Sequence, residues 1–210
     1  MKDLQRRYIA LDQCGIRADG EEGEGRTYTI TGTPILYNRM TVLYENADYV
    51  IQEIIDPGAA REALGVAEQV LLWNHDSAKP MAARKNNTLT VREDDNGVHI
   101  DADVSGSVWG RDGHEAIRSN LVNAMSFAFF CNRDGYTVER TERDKKEVIT
   151  RKIHKFSRIV DFAPVTYPAY KDTEISARGA DDILTEIEKG KREETHKKIE
   201  ALLTEFREEE

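Results

Sequence analysis

Asn123-Ala124-Met125-Ser126-Phe127-Ala128-Phe129-Phe130 is an apolar run with a single hydroxyl at its centre. It follows residues 111–123, where Ile117, Leu121 and Val122 share one side of a predicted helix. A hydroxyl set among phenylalanine and alanine must be satisfied by a neighbour or put to use, because burying it unpaired costs roughly 2–7 kcal/mol. Two more apolar stretches carry polar residues of complementary kind. Leu71-Leu72-Trp73-Asn74-His75-Asp76 reads as a strand ending in a histidine. Arg158-Ile159-Val160-Asp161-Phe162-Ala163-Pro164-Val165 reads as a strand carrying a carboxylate. A base, a nucleophile and an acid candidate therefore occur at apolar, strand-like positions in the order His75, Ser126, Asp161.

Outward from these stretches the chain reads as mainly β, in an α+β arrangement. Residues 27–37 and 49–55 are rich in β-branched and aromatic types and predict strands. Asp56-Pro57-Gly58 then punctuates, and residues 59–64 fit a short helix with Pro57 at its start. Residues 88–92 and 97–104 predict a hairpin turning at Asn96-Gly97. In its second arm Val98, Ile100, Ala102 and Val104 face one way, and His99, Asp101 and Asp103 the other. Residues 136–156 alternate and are highly charged, predicting a more exposed hairpin around residues 143–146. The strand of Asp161 covers 158–167 and is closed by Pro164 and Pro168.

Composition divides the chain in three. Residues 1–26 read as a flexible N-terminal segment, since Asp19-Gly20-Glu21-Glu22-Gly23-Glu24-Gly25 is acidic and glycine-rich. Residues 27–178 form the main domain. Residues 179–210 read as a charged, amphipathic helical tail: 181–210 hold 11 acidic and 6 basic residues and no proline. Ile183, Leu184, Ile187, Ile199, Leu202, Leu203 and Phe206 recur there at helical spacing, as a solvated appendage or a partner-binding segment.

The formal net charge of −9 and the pI near 5.2 carry no basic nucleic-acid footprint. There is no run of 18 apolar residues, so no membrane-spanning helix is expected. The start, Met1-Lys2-Asp3-Leu4-Gln5-Arg6-Arg7-Tyr8, lacks the apolar core of a signal peptide. Cys14 and Cys131 are the only cysteines, too few for a disulfide framework or a zinc cluster, and fit a reducing cytosol. No cofactor is expected.

A serine hydroxyl needs an adjacent base to take its proton, and the base needs a third group to hold its tautomer. His75 is the best base. His99 falls on the polar face of its hairpin arm, His114 reads as exposed beside a helix start, and His196 lies in the tail. His154, in Lys152-Ile153-His154-Lys155-Phe156, remains a rival as base or third member. Asp76 adjoins His75, but neighbouring strand residues point to opposite faces, which makes it a poor orienter. Asp161 is better placed as a buried carboxylate in need of a partner. Spacing alone does not make this specific, since any chain of this length holds some Ser, His and Asp in strands. A metal-dependent hydrolase could draw on His75, Asp76, His99 and Asp101, but no H-E-x-x-H or paired-cysteine spacing supports it.

Five patterns in order resemble the tailed-phage prohead (capsid maturation) proteases, which are similar to the herpesvirus assemblins. Ile30-Thr31-Gly32-Thr33-Pro34-Ile35-Leu36-Tyr37-Asn38 resembles the family's opening strand. Ile54-Ile55-Asp56-Pro57-Gly58-Ala59-Ala60 resembles its I-x-P-G-A-F element, with Ala60 in place of phenylalanine. Leu71 to Asp76 resembles the element bearing the catalytic histidine. Met125-Ser126-Phe127-Ala128-Phe129 resembles M-S-I-G-F, which bears the nucleophile, with Ala128 for glycine. Ile159 to Tyr170 resembles L-x-E-V-S-P-V-T-x-P-A-Y, with Asp161 for glutamate and Ala163 for serine.

The resemblance spans about residues 26–178. It implies His75 as general base, Ser126 as nucleophile and Asp161 as orienting acid. The Asp-for-Glu change keeps the charge on a shorter side chain, and the assemblins' histidine third member keeps His154 in view. The implied fold is a closed or nearly closed antiparallel β-barrel with peripheral helices. The implied activity is a serine endopeptidase acting by acyl transfer on capsid and scaffold proteins, and on itself, inside the procapsid in the cytoplasm of the bacterial host. An oxyanion hole is required, with Arg133 or Arg158 as candidate donors. The resemblance also suggests a homodimer or higher oligomer, with no nucleic-acid or membrane partner. A catalytically silent assembly or scaffolding protein on the same fold is the alternative, separated by whether Ser126 and His75 converge.

Overall fold

The computed structural model describes residues 4–10, 14–20, 27–66, 68–166 and, singly, 184, 185, 189, 199 and 200. Thirteen strands, β1 to β13, are present among them: Gln5–Ala10, Arg17–Asp19, Thr29–Leu36, Thr41–Glu45, Tyr49–Ile55, Val70–Leu72, Pro80–Ala83, Leu89–Glu93, Gly97–Asp103, Ala124–Phe130, Tyr136–Arg143, Lys146–Ile153 and Arg158–Val165. Two α-helices join them, α1 (Arg61–Val66) and α2 (Val108–Arg118). The architecture is mainly β with few helices.

The strands pair as three sheets, in the orders β1-β10-β13-β6-β7, β11-β12-β5-β4 and β2-β3-β9-β8. Most pairs are antiparallel, but β5 with β12 and β6 with β13 are parallel. The expected barrel is therefore corrected: among the described residues no sheet closes on itself, and the pairing is not wholly antiparallel. Bulges interrupt β3 between Gly32 and Ile35, β4 between Val42 and Tyr44, and β13 at Val160, opposite Ala128 and Phe129. An extra residue on one strand bends it and ends the ladder locally. The sheets are joined instead through one core, in which Ile30, Ile35, Leu71, Ile100, Phe127, Phe129, Phe156 and Phe162 are all buried. Phe127, Phe129 and Phe156 stack and meet edge to face with ring centroids 4.8–5.8 Å apart, spacings favoured by the aromatic quadrupole.

Two glycines set close approaches in that core. A Cβ on Gly32 would stand 2.5 Å from Met125 Sδ, so the missing side chain lets β3 lie against β10. A Cβ on Gly113 would stand 2.5 Å from Met81 Cε and 3.1 Å from the Trp73 ring. Helix α2 thereby packs tightly on the turn that follows β6.

Several expectations change. The N-terminal 26 residues are not uniformly loose: β1 pairs with β10 and β2 with β3. Such long-range pairing leaves no local signal. Helix α2 begins at Val108, with the Ser107 hydroxyl accepting the Gly110 N–H as cap, and ends at Arg118. In the charged hairpin β11 is mostly exposed. Strand β12 lies between β11 and β5, which buries Val148, Ile149, Ile153 and even Arg151. The predicted tail over 179–210 lies outside the described residues but for Leu184, Thr185, Lys189, Ile199 and Glu200, all helical; Leu184 packs against Ile51 and Ile149. Among the described residues no helix is long and apolar enough to cross a membrane.

Candidate active site

Strand β10 is buried on both faces, and its alternation sends Met125, Phe127 and Phe129 into the core. Ser126 faces the other way, on the side of Ala124, Ala163 and Val165. On β13, Asp161 pairs with Ala128, two residues from Ser126 on that face. Parallel pairing brings Val70 of β6 beside Asp161, and the chain then leaves the sheet at Leu72.

His75 is not on a strand, as the sequence predicts, but in the tight turn Trp73–His75. Asn74 and His75 both take left-handed backbone conformations, with φ 51° and 59°. Each costs about 1–2 kcal/mol relative to the right-handed form, least for residues such as Asn with short polar side chains. The Asn74 side chain supports the turn from both ends of its amide. Its Nδ2 donates to Thr166 Oγ1 at 3.3 Å, and its Oδ1 accepts the Thr166 N–H at 3.0 Å. That clamp ties the turn to the end of β13, the strand of Asp161. Across the same turn Asp76 Oδ1 accepts the Ala78 N–H, and Lys79 lies 3.0 Å from Oδ2. The hydrogen bond from Lys79 holds the Asp76 carboxyl below the usual carboxylate range, and Asp76 serves to close the loop rather than to orient the histidine.

His75, Ser126 and Asp161 converge. Asp161 Oδ1 lies 2.5 Å from His75 Nδ1, and Ser126 Oγ lies 2.5 Å from His75 Nε2. An ionised carboxylate only accepts, so Nδ1–H is the donor to Asp161. The lone pair of a neutral ring is then on Nε2 and accepts the serine hydroxyl. The His75 and Asp161 side chains are 4% and 5% exposed, and Ser126 is fully buried. In this low-dielectric setting each polar group is satisfied by another member of the chain, which offsets the desolvation of all three. The Tyr8 ring meets the His75 ring edge-on at 6.3 Å.

The other candidates are placed elsewhere. His154 Nδ1 lies 3.2 Å from Asp56 Oδ2 on a half-exposed surface. His114, expected to be exposed, is buried in α2, with Nε2 bonded to the Asp19 carbonyl at 2.8 Å and its ring edge-on to Tyr28. Its burial follows from Gly110 and Gly113, which bring that face of the helix into the core. Arg133 stacks on the Tyr136 ring at 5.0 Å and donates to the Tyr136 carbonyl. Arg158 is exposed at the start of β13. His99 Nδ1 lies 3.0 Å from Thr33 Oγ1, and its Nε2 lies 3.0 Å from Asp94 Oδ2 without hydrogen-bond alignment. Among the described residues no group of three or more His, Cys, Asp or Glu could hold a metal ion, and His75 and Asp76 are not joined by His99 and Asp101. His196 lies outside the described residues.

Sequence reading missed Asn74 and Tyr8. Asparagine directly before the histidine is a usable signal, being one of the residues that tolerate left-handed backbone. Tyr8 carries no such signal, because only the pairing of β1 with β10 places it opposite Ser126.

Residues 14–188 match the family model described as caudovirus prohead serine protease. A solved structure, that of the bacteriophage T4 capsid assembly protease, is similar with a TM-score of 0.39 and 12% identity, covering 78% of this chain and 99% of that one. No curated protein matches the chain.

Proposed function

The chain belongs to the caudovirus prohead serine protease family, and from that premise we propose that it is an active serine endopeptidase with Ser126 as nucleophile, His75 as general base and Asp161 as orienting acid. The observation that carries this reading is the continuous chain from Asp161 Oδ1 through both nitrogens of His75 to Ser126 Oγ, with both links at 2.5 Å.

The chemistry follows from the donors and acceptors. Ser126 Oγ attacks a peptide carbonyl carbon while His75 Nε2 takes the hydroxyl proton. Asp161 keeps the other ring proton on Nδ1 and stabilises the imidazolium as it forms. The protonated Nε2 then gives its proton to the leaving amine, the C–N bond breaks, and an ester remains on Ser126. Water, activated by the same nitrogen, attacks the ester and releases the new carboxyl end.

The proposed substrates are capsid and scaffold segments, and the chain itself, inside the procapsid in the host cytoplasm. The protease unit is proposed over residues 27–178 with β1 and β2 added to it, and residues 179–210 are proposed as a capsid-directed tail. One observation favours a second reading, a silent assembly protein on the same fold: Ser126 is fully buried. Co-expression with the capsid and scaffold proteins, wild type beside Ser126→Ala, followed by intact-mass analysis, separates the two. Cleavage lost in the variant is the expected result. Cleavage that persists removes Ser126 as nucleophile, and absence of cleavage from demonstrably assembled particles favours the silent protein.

A further inference from the structure

A peptide carbonyl cannot reach Ser126 while that residue is fully buried and the His75 side chain is 4% exposed. Some part of the cover has to move before acyl transfer. Strands β10 and β13 and the turn after β6 carry the hydrogen-bonded chain itself and cannot leave without dismantling it. Strand β1 carries none of it. It is an edge strand, and among the described residues its backbone ladder runs to β10 alone. Its register sets Tyr8 directly opposite Ser126. The Tyr8 side chain packs against Ala124, Ala163 and Val165 and meets His75 edge-on. Strand β1 also precedes residue 14, where the family match begins.

We propose that β1 is a resident occupant of a peptide-binding edge. It lies where an extended substrate segment would pair with β10, and it withdraws to admit that segment. The proposal rests on the reading of Ser126 as nucleophile. Addition of an extended peptide to an exposed sheet edge is a general recognition mode, in which main-chain hydrogen bonds supply affinity and fix register. Here that register sets one residue of the incoming strand opposite the nucleophile, as Tyr8 is now.

The charges that hold β1 are arranged so that its departure is tolerated. Arg7 grips Glu53 of β5 with Nε at 2.7 Å from Oε1 and Nη2 at 2.8 Å from Oε2. Gln5 Oε1 accepts from Arg151 Nη1 at 2.6 Å. Loss of Arg7 alone would leave the buried Glu53 uncompensated, which is strongly destabilising. Arg151 prevents this. It is fully buried, its Nη1 already lies 3.5 Å from Glu53 Oε2, and its Nε and Nη2 have no hydrogen-bond partner among the described residues. A second guanidinium therefore stands ready to pair with Glu53 once Arg7 and Gln5 have gone.

A reversible lock tests this in the full chain. Arg6 and Ala128 are register partners, and antiparallel partners have Cα atoms about 4.5–5.5 Å apart, within disulfide reach. In the variant Arg6→Cys/Ala128→Cys, labelling of Ser126 by a fluorophosphonate probe, followed by intact mass, is expected to be at least about tenfold faster after reduction than in the oxidised form. Equal rates overturn the proposal. Binding provides a readout that needs no activity. With Ser126→Ala added, a fluorescein-labelled peptide of residues 4–10 is titrated into the oxidised lock and into a chain loosened by Arg7→Ala/Tyr8→Gly. Binding at least about tenfold tighter to the loosened chain supports the proposal; equal binding overturns it. Should the loosened chain fail to melt cooperatively, the reduced lock takes its place. Absence of labelling in every form, wild type included, removes Ser126 as nucleophile while leaving the peptide titration to judge the strand.

Discussion

Ser126–His75–Asp161 and Thr33–His99–Asp94 bring the same three functional groups together, the first with both spacings at 2.5 Å and the second with both at 3.0 Å. The two settings differ in every other respect. His75 and Asp161 are 4% and 5% exposed, whereas His99 and Asp94 are 31% and 52% exposed. In the first set Nδ1 faces the carboxylate and Nε2 the hydroxyl; in the second the ring is reversed, and the approach to Asp94 lacks hydrogen-bond alignment. His75 sits on a left-handed turn that Asn74 clamps to the strand of Asp161. His99 lies half-buried on the regular strand β9. Composition and distance do not separate the proposed relay from a surface cluster. Burial, alignment and a supported backbone do, because they exclude water and hold the groups without reorganisation.

Replacing the two histidines is the harshest test of that contrast. His75→Ala is expected to lower the rate of substrate cleavage by about 10⁴–10⁶-fold, as for a residue that acts as a unit with its nucleophile. His99→Ala is expected to stay within about threefold, as for a surface side chain away from the chemistry. Quantified cleavage of a purified scaffold substrate measures both, and comparable losses would erase the distinction. Asp161→Asn comes next. An amide in place of the carboxylate favours the wrong imidazole tautomer, and a loss of about 10⁴-fold in kcat is expected. Unchanged kcat in Asp161→Asn would return His154 to consideration as third member.

The contribution of the supported turn is smaller and can be resolved with a pair of variants. Asn74→Ala and Asn74→Gly both remove the clamp to Thr166. Only alanine also strains the left-handed backbone, by roughly 1–2 kcal/mol. A loss of about tenfold in kcat, with KM little changed, is expected for alanine and a smaller loss for glycine. Equal losses would assign the effect to the clamp alone.

How far the sequence discloses this site depends on the range of each interaction. The apolar runs around Ser126, His75 and Asp161 are local, and each falls in or next to a strand of the sheet that positions it. The hairpin turning at Asn96-Gly97 is local too, and Val98, Ile100, Ala102 and Val104 are buried on one face as their alternation predicts. The backbone of His75 is not legible in the same way, because an apolar run shows neither where a strand stops nor that two left-handed residues follow. Arg151 reads as one more exposed charge in an alternating hairpin, yet the parallel pairing of β12 with β5 buries it beside Glu53. Strand β1 escapes for the same reason. Its partner lies more than a hundred residues away, and an acidic, glycine-rich stretch nearby draws the reading toward a loop.

The smallest expected effect belongs to the surface cluster and shows what it does instead of catalysis. Asp94 accepts from the backbone N–H of Asn96 and Gly97 at the tip of the β8–β9 hairpin, and from its side lies against His99. The neighbouring His99 ring first, then the Asn96 N–H, hold its carboxyl below the usual carboxylate range. A carboxylate depressed in the folded state contributes stability above its unfolded pKa, near 3.9 for aspartate, and loses it as pH falls through the folded value. Asp94→Asn should therefore destabilise the protein slightly at pH 7, with the gap to wild type narrowing as the pH is lowered through that acidic range. Urea unfolding midpoints across the range measure it. A gap that persists undiminished in acid would mean that Asp94 shapes the turn by geometry rather than charge, and cleavage activity should be unchanged in either case, since nothing in this cluster reaches Ser126.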